Sequence, residues 1–262
     1  MGSPNTDLAS VRSILFDLDG TLRHSRPSSV AAFLDFAVAL GVPDSTERRR
    51  RVYRWTHYYW AQSADMLQDK EDFPEVNAFW DNYAIRNLLA FDCSPDCALK
   101  LAPEVTRRMR TEHQAEDWVP PDVPETLQAL GSAGYRLAVL SNRTDPCQED
   151  LENLGLLDYF RFALVAGEVE LWKPDPGIFL HAVAQLGTSP HETLYIGDNY
   201  FADVVGARAA GLQPVLLDPD GLFPEAGCPV ITTLGELTEI LNGDLRRHNG
   251  NDRHGGHQLE RN

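Results

Sequence analysis

Cysteine is sparse in this chain: Cys93, Cys97, Cys147 and Cys228 are the four among 262 residues. They form no CxxC pair and no dense framework, which excludes a disulfide-stapled scaffold and points to reduced thiols in a cytoplasm. Cys93 and Cys97 lie four apart, but two thiolates supply only half of a usual zinc site, so zinc is not expected there. Positive charge is also in short supply. With 23 basic against 39 acidic side chains the formal charge is -16. A surface this acidic repels nucleic acid and anionic lipid, so neither is an expected partner. It repels phosphorylated small molecules too, and a phosphate site would therefore need local positive charge from a metal ion or a fixed lysine. No apolar run approaches the roughly 18 residues of a membrane helix. The N-terminal MGSPNTDLAS lacks a basic region followed by an apolar block, which argues against a signal peptide.

What is present suits a globular protein. Hydrophobic residues make up 43% of the chain, enough for a sizeable core in one large domain or two smaller ones. RSILFD (12–17) is a nearly continuous apolar run, as expected of a parallel strand covered on both faces. YRLAVLS (135–141), RFALVA (161–166), TLYIGD (193–198) and QPVLLD (213–218) read the same way. Helical patterns lie between them and stop at Gly155, Gly187 and Gly211, a common helix-end signal. Strands alternating with helices predict an α/β fold, a Rossmann-like, mainly parallel sheet.

Residues 25–118 break this alternation. Helical periodicity runs through VAAFLDFAVALG, the stretch from Asp44 to Gln68, PEVNAFWDNYAIRNLLAF and CALKLAPEVTRRMR, with no buried strand among them. The expectation is an all-helical domain inserted into a discontinuous core made of residues 11–24 and 119–242. ERRRR (47–51) reads as a solvated helix face, and Tyr53, Trp55, Tyr58, Tyr59 and Trp60 as helix core with a possible share in a substrate surface. Residues 243–262 are polar and without periodicity, and are expected to be a disordered tail. Its His248, His254 and His257 could take up stray metal, but a flexible tail is the simpler reading.

The residues that carry chemistry collect at strand ends, where ligands bind in open α/β sheets. Asp17 and Asp19 sit in FDLDGTL at the end of the first strand. One carboxylate there can attack phosphorus and bind a cation while the other handles protons, and the glycine permits a tight turn close to a ligand. An ordinary strand-to-turn boundary would look similar. Ser141 and Asn142 end the second strand, where a hydroxyl and a backbone N–H could hold a phosphate oxygen. Lys173 follows the third strand in ELWKPDP, and Asp198 and Asp203 follow the fourth in IGDNYFAD. Taken singly, these could be a surface lysine, a helix cap and a solvated acid. Four coincidences at one edge of one sheet, in one order, are not accidental.

DLDGT, SN, KPDP and GDNYFAD, in that order, resemble the four motifs of the haloacid-dehalogenase-like hydrolase superfamily. The helical insertion resembles the cap of its C1 subgroup, and the resemblance spans about residues 11–242. It implies a magnesium-dependent phosphatase acting on a small-molecule phosphate monoester through an aspartyl-phosphate. Asp17 would be the nucleophile and Asp19 the acid and base. Ser141 would bond the phosphoryl group, and Lys173 would neutralise its charge. Asp17, Asp198 and the backbone carbonyl of Asp19 would hold magnesium, with Asp203 supporting the metal's waters. The family's founding dehalogenases lack the second aspartate, because a leaving halide needs no proton. Asp19 therefore favours phosphoryl transfer. A sugar-phosphate mutase, a haloacid dehalogenase and a catalytically silent binding or regulatory relative are the alternatives. His57, Tyr58, Arg54 and Arg23 are the candidates for choosing the substrate; oligomeric state is not legible.

Overall fold

The computed structural model describes residues 8–241. At its centre is strand β1 (Ser13–Phe16), buried at all four positions. After it, β2 (His24–Arg26) leads into five helices: α1 (Ser29–Ala39), α2 (Thr46–Trp60), α3 (Ala64–Asp72), α4 (Val76–Ala90) and α5 (Pro95–Thr111). Strand β3 (Glu116–Trp118) closes this insertion by pairing antiparallel with β2, so the two crossings between helices and sheet run side by side as a short ribbon. The alternating pattern then resumes with α6 (Asp122–Ser132), β4 (Arg136–Ser141), α7 (Gln148–Asn153), β5 (Ala163–Val165), α8 (Ala166–Val169), α9 (Pro176–Leu186), β6 (Thr193–Gly197), α10 (Val205–Ala209), β7 (Gln213–Leu217) and β8 (Val230–Ile231).

The sheet has six strands in the order β5-β4-β1-β6-β7-β8, and every pairing in it is parallel. The apolar runs have a simple cause. Alternate residues of each strand feed different cores, because side chains alternate across a strand. Ile14, Phe16, Leu137, Val139, Leu194 and Ile196 pack on one face with Val123 and Leu127 of α6 and Leu151 of α7. Leu15, Ala138, Leu140 and Tyr195 pack on the other with Ile178, Phe179 and Ala182 of α9 and Ala207 of α10. With helices on both faces, neither set could be polar. The fold is thus the expected α/β sheet with an all-helical insertion, whose own core joins Phe33, Leu34, Val52, Leu88, Ala98 and Val105.

The structure corrects some details. β2, β3 and β8 were not foreseen: they span three, three and two residues, too short and, in HSR and EDW, too polar to show alternation. The helical stretch from Asp44 to Gln68 is two helices. Gln62 takes a left-handed φ of 56°, and Ser63 starts α3 by accepting a hydrogen bond from the backbone N–H of Met66. ERRRR is not wholly solvated. Arg48, Arg49 and Arg51 make ion pairs with Asp92, Asp44 and Asp35, but Arg50 reaches the carbonyl of Gly221 beyond β7. Trp55, Tyr59 and Trp60 interlock with Tyr83 of α4, as expected of helix core. The four cysteines are free. The tail 243–262 lies outside the described residues, and among those described no helix is long and apolar enough to cross a membrane.

Candidate active site

Asp17, Ser141 and Asp198 occupy or directly follow the carboxyl ends of adjacent strands β1, β4 and β6, and Lys173 reaches the same edge from the loop before α9. Together with Asp19, Asn142, Arg143 and Asp203 they line one cleft of about 350 Å³. The opposite wall comes from the helical insertion: Trp60 at the end of α2, Gln62 in the turn, and Met66 and Lys70 of α3.

Lys173 organises the floor. Its side chain is buried, and Nζ donates to Asp17 Oδ1 at 2.6 Å, Asp203 Oδ1 at 2.7 Å and the Tyr195 hydroxyl at 2.9 Å. Burial alone would lower the lysine's pKa, but the carboxylates of Asp17 and Asp203 overcome it and hold the ammonium well above its ordinary value. The loop that carries Lys173 is itself pinned. Asn142 accepts from the Lys173 backbone N–H at 2.7 Å and donates to the Lys173 carbonyl at 2.9 Å. The side chain of Asn142 is therefore committed to positioning Lys173, and any part of Asn142 in phosphate binding falls to its main chain.

One ammonium does not balance the acids around it. Asp17, Asp198 and Asp203 can each bring an oxygen within 4.8 Å of the others. Burial pushes the Asp17 carboxyl up to about 7, with Lys173 opposing and Asp203 and Asp19 adding. Burial and the neighbouring Asp17 and Asp203 raise Asp198 well above its ordinary value. Buried acids held that close recruit either protons or a cation, and hard carboxylate oxygens suit a magnesium-like ion. The donor set therefore fits a divalent cation. Asp203 stands apart within the group, because Oδ1 faces Lys173 and Tyr195 and Oδ2 accepts from the Asn199 backbone N–H at 2.9 Å. That leaves Asp17 and Asp198 as the freer donors, with Asp203 bracing them from behind.

Two glycines make this crowding possible. A Cβ on Gly20, whose φ is +93°, would sit 2.4 Å from Asp198 Oδ2, and one on Gly197 would sit 2.2 Å from Asp203 Oδ2. The chain after Asp198 is shaped for the same purpose. Tyr200–Val204 form a single π turn, capped by the Asn199 side chain, before α10 begins. The wider turn goes with Asp203 lying under the strand end, and such π turns recur at functional sites.

Asp19 lies on the turn with its side chain 43% exposed, so it faces the cleft opening while Asp17 stays buried. Arg143 grips it in a fork, Nε to Oδ2 at 2.7 Å and Nη2 to Oδ1 at 3.0 Å, and pairs with Asp150 as well. Arg23 approaches Asp19 Oδ1 at 3.3 Å and Asp117 at 3.2 Å, which ties the turn to β3.

The substrate-choosing candidates scatter. Arg54 turns to the Leu222 carbonyl and Glu225, and Tyr58, expected as helix core, is exposed and meets Phe201 edge to face. His57 lines a neighbouring hollow with Gly20, Asp198 and Asp218. Its ring packs on Phe223, burial pushes its pKa down to about 4, and its carbonyl accepts from Asn199. Arg143, Tyr195, Gln62 and Lys70 were not singled out in the sequence. Only Arg143 carried a signal, as the residue following Ser141–Asn142 at a strand end.

The model of a family described as "haloacid dehalogenase-like hydrolase" matches residues 11–211. The chain is 32% identical over 253 residues to a phosphoserine phosphatase of Thermus thermophilus, covering 88% of this chain and 98% of that protein. It is 31% identical over 246 residues to a ribulose-1,5-bisphosphate 5-phosphatase of Halopiger xanaduensis, covering 87% and 98%. A 2-haloacid dehalogenase from Pseudomonas syringae superposes with a TM-score of 0.51 at 27% identity, covering 89% of this chain and 99% of that one.

Proposed function

The chain belongs to the haloacid dehalogenase-like hydrolase family, and from that premise we propose that it is a magnesium-dependent phosphatase of small-molecule phosphate monoesters. The observation that carries this reading is the pair of unlike carboxylates at one strand end: Asp17 buried against Lys173, and Asp19 exposed at the cleft mouth. Both named relatives are phosphatases, and both act on esters that bear a further acidic group: the carboxylate of phosphoserine and the second phosphate of ribulose bisphosphate.

In this reading Asp17 is the nucleophile. Its backbone is fixed between β4 and β6, its N–H bonding the Ile196 carbonyl at 2.8 Å, so the carboxylate can be held in line with phosphorus. One Asp17 oxygen attacks phosphorus as the ester oxygen leaves, giving an aspartyl-phosphate. Asp19 gives its proton to the departing alkoxide, then takes one from the water that attacks phosphorus and frees Asp17. The Ser141 hydroxyl bonds the phosphoryl group, Lys173 offsets its negative charge, and Asn142 keeps Lys173 in place. Asp17, Asp198 and the Asp19 carbonyl would hold the magnesium ion, with Asp203 behind them. Bound there, magnesium supplies positive charge that offsets the phosphoryl group's negative charge. Residues 25–118 act as the cap over the core of 11–24 and 119–242, shielding the reacting groups from water.

The structural likeness to a dehalogenase suggests halide displacement as a second reading, but a proton-handling Asp19 has no task in it. Mass spectrometry of protein trapped with a phosphoryl donor tests the assignment. Phosphate is expected on Asp17, and phosphate on any other residue overturns it.

A further inference from the structure

Three cations line the cleft, and two of them are spent. Lys173 is paired with Asp17 and Asp203, and Arg143 with Asp19 and Asp150. The side chain of the third, Lys70, makes no hydrogen bond or ion pair within the described residues. It is nevertheless held on a stiff support. Met66, one helical turn before it, is buried at 1% exposure and also lines the cleft. Residues four apart share a helix face, so Lys70 shares the side of α3 that Met66 turns inward. Asp69, next to Lys70, is buried and locked by the Tyr59 hydroxyl at 2.9 Å and by Arg86 at 2.6 Å. The start of α3 is fixed by the Ser63 cap and the left-handed turn at Gln62, itself part of the cleft wall.

The cleft also faces an electrostatic problem. Four aspartates line it, and the whole chain carries a formal charge of -16. A phosphate ester with a second negative group would be repelled unless a cation met that group away from the phosphoryl site. Lys70 is the unpaired cation opposite the strand ends, on the wall that would face the leaving group.

We propose that Lys70 is a specificity-determining residue that binds a second anionic group, a carboxylate or a second phosphate, on the leaving-group side of the substrate. This rests on the phosphatase reading above and narrows its substrate class to phosphate monoesters carrying another acidic group, for which a cleft of about 350 Å³ has room. Lys70 touches no reacting atom in this scheme, and its contribution is to affinity and orientation.

The test compares the wild type with Lys70→Met and Lys70→Arg on three esters: phosphoglycolate for the carboxylate, fructose 1,6-bisphosphate for the second phosphate, and glycerol 2-phosphate as the ester with a neutral remainder. Lys70→Met is expected to lower kcat/KM at least tenfold more for one of the two acidic esters than for glycerol 2-phosphate, chiefly through KM. Lys70→Arg is expected to restore most of that preference. Which acidic ester responds identifies the group. Equal losses on all three esters, or none, overturn the inference. Calorimetric binding of the same esters in magnesium, to Asp17→Asn protein with and without Lys70→Met, reads Lys70 independently of turnover. If no ester is hydrolysed, the phosphatase reading fails. A Lys70-dependent preference in binding then still supports the anion site, and its absence overturns that site too.

Discussion

Replacing Lys173 with methionine removes the ammonium that bonds two buried carboxylates while keeping a side chain of similar length. In the wild type that group satisfies Asp17 and Asp203, whose side chains are 8% and 1% exposed. Removing one partner of a buried ion pair costs about 3–5 kcal/mol, because the charge left behind has neither water nor a counter-ion. For a chain of this size each kcal/mol moves Tm by about 2–4 °C, so Tm should fall by roughly 6–20 °C. Thermal unfolding should be followed in excess chelator, since a bound cation would offset part of the exposed charge. Turnover should vanish in the same variant, as nothing else in the described structure bonds Asp17 at this position. Adding Asp203→Asn to Lys173→Met removes one of the orphaned charges. It should recover about 0.5–3 kcal/mol, the usual range for groups in contact, without recovering activity. A Tm within about 2 °C of wild type, or further destabilisation by Asp203→Asn, would refute the claim that the lysine holds these acids together.

Other expectations follow from the same site. Asp19→Asn should slow alkyl phosphates by about 10²–10⁴-fold, the usual worth of general acid catalysis, and aryl phosphates far less because their leaving groups scarcely need a proton. Equal slowing of both classes in steady-state kinetics would contradict the acid assignment. Chelation should abolish turnover and magnesium should restore it, with Asp198→Asn needing much more metal; full activity after metal removal would refute the metal assignment. His57 offers a pH test. Burial lowers its pKa from 6.5 to about 4, so the folded protein binds fewer protons than the unfolded chain between those values. Its contribution is fully present above pH 6.5 and is lost as pH falls towards 4, by up to about 3 kcal/mol. In saturating magnesium, denaturant titrations of wild type and His57→Leu should therefore converge by about that amount between pH 7.5 and 4, and parallel curves would show that His57 is not the group responsible.

The sequence by itself determined the sheet, the helical insertion and the order of the chemical groups. Strands such as RSILFD and TLYIGD were legible because burial on both faces demands unbroken apolar runs, a constraint that acts locally. Asp17, Asp19, Ser141 and Asp198 stood out because each falls at or just beyond a strand end, and parallel strands put such ends on one edge; Lys173 reaches that edge from the loop between α8 and α9. What the tertiary structure decided is the set of partnerships across long sequence distances. Lys173 meets Asp17 across 156 residues, and Arg143 grips Asp19 across 124. No pattern in either segment announces those bonds. The polar β2–β3 ribbon escaped notice because its pairing depends on where the insertion leaves and rejoins the sheet rather than on alternation. That Asp203 is held by Lys173, Tyr195 and Asn199 beside Asp198 goes with a π turn and with Gly20 and Gly197 making room for the carboxylates. Lys70 was unremarkable in the sequence, because an unpaired lysine gains meaning only when the fold turns it towards a cleft whose other cations are already taken.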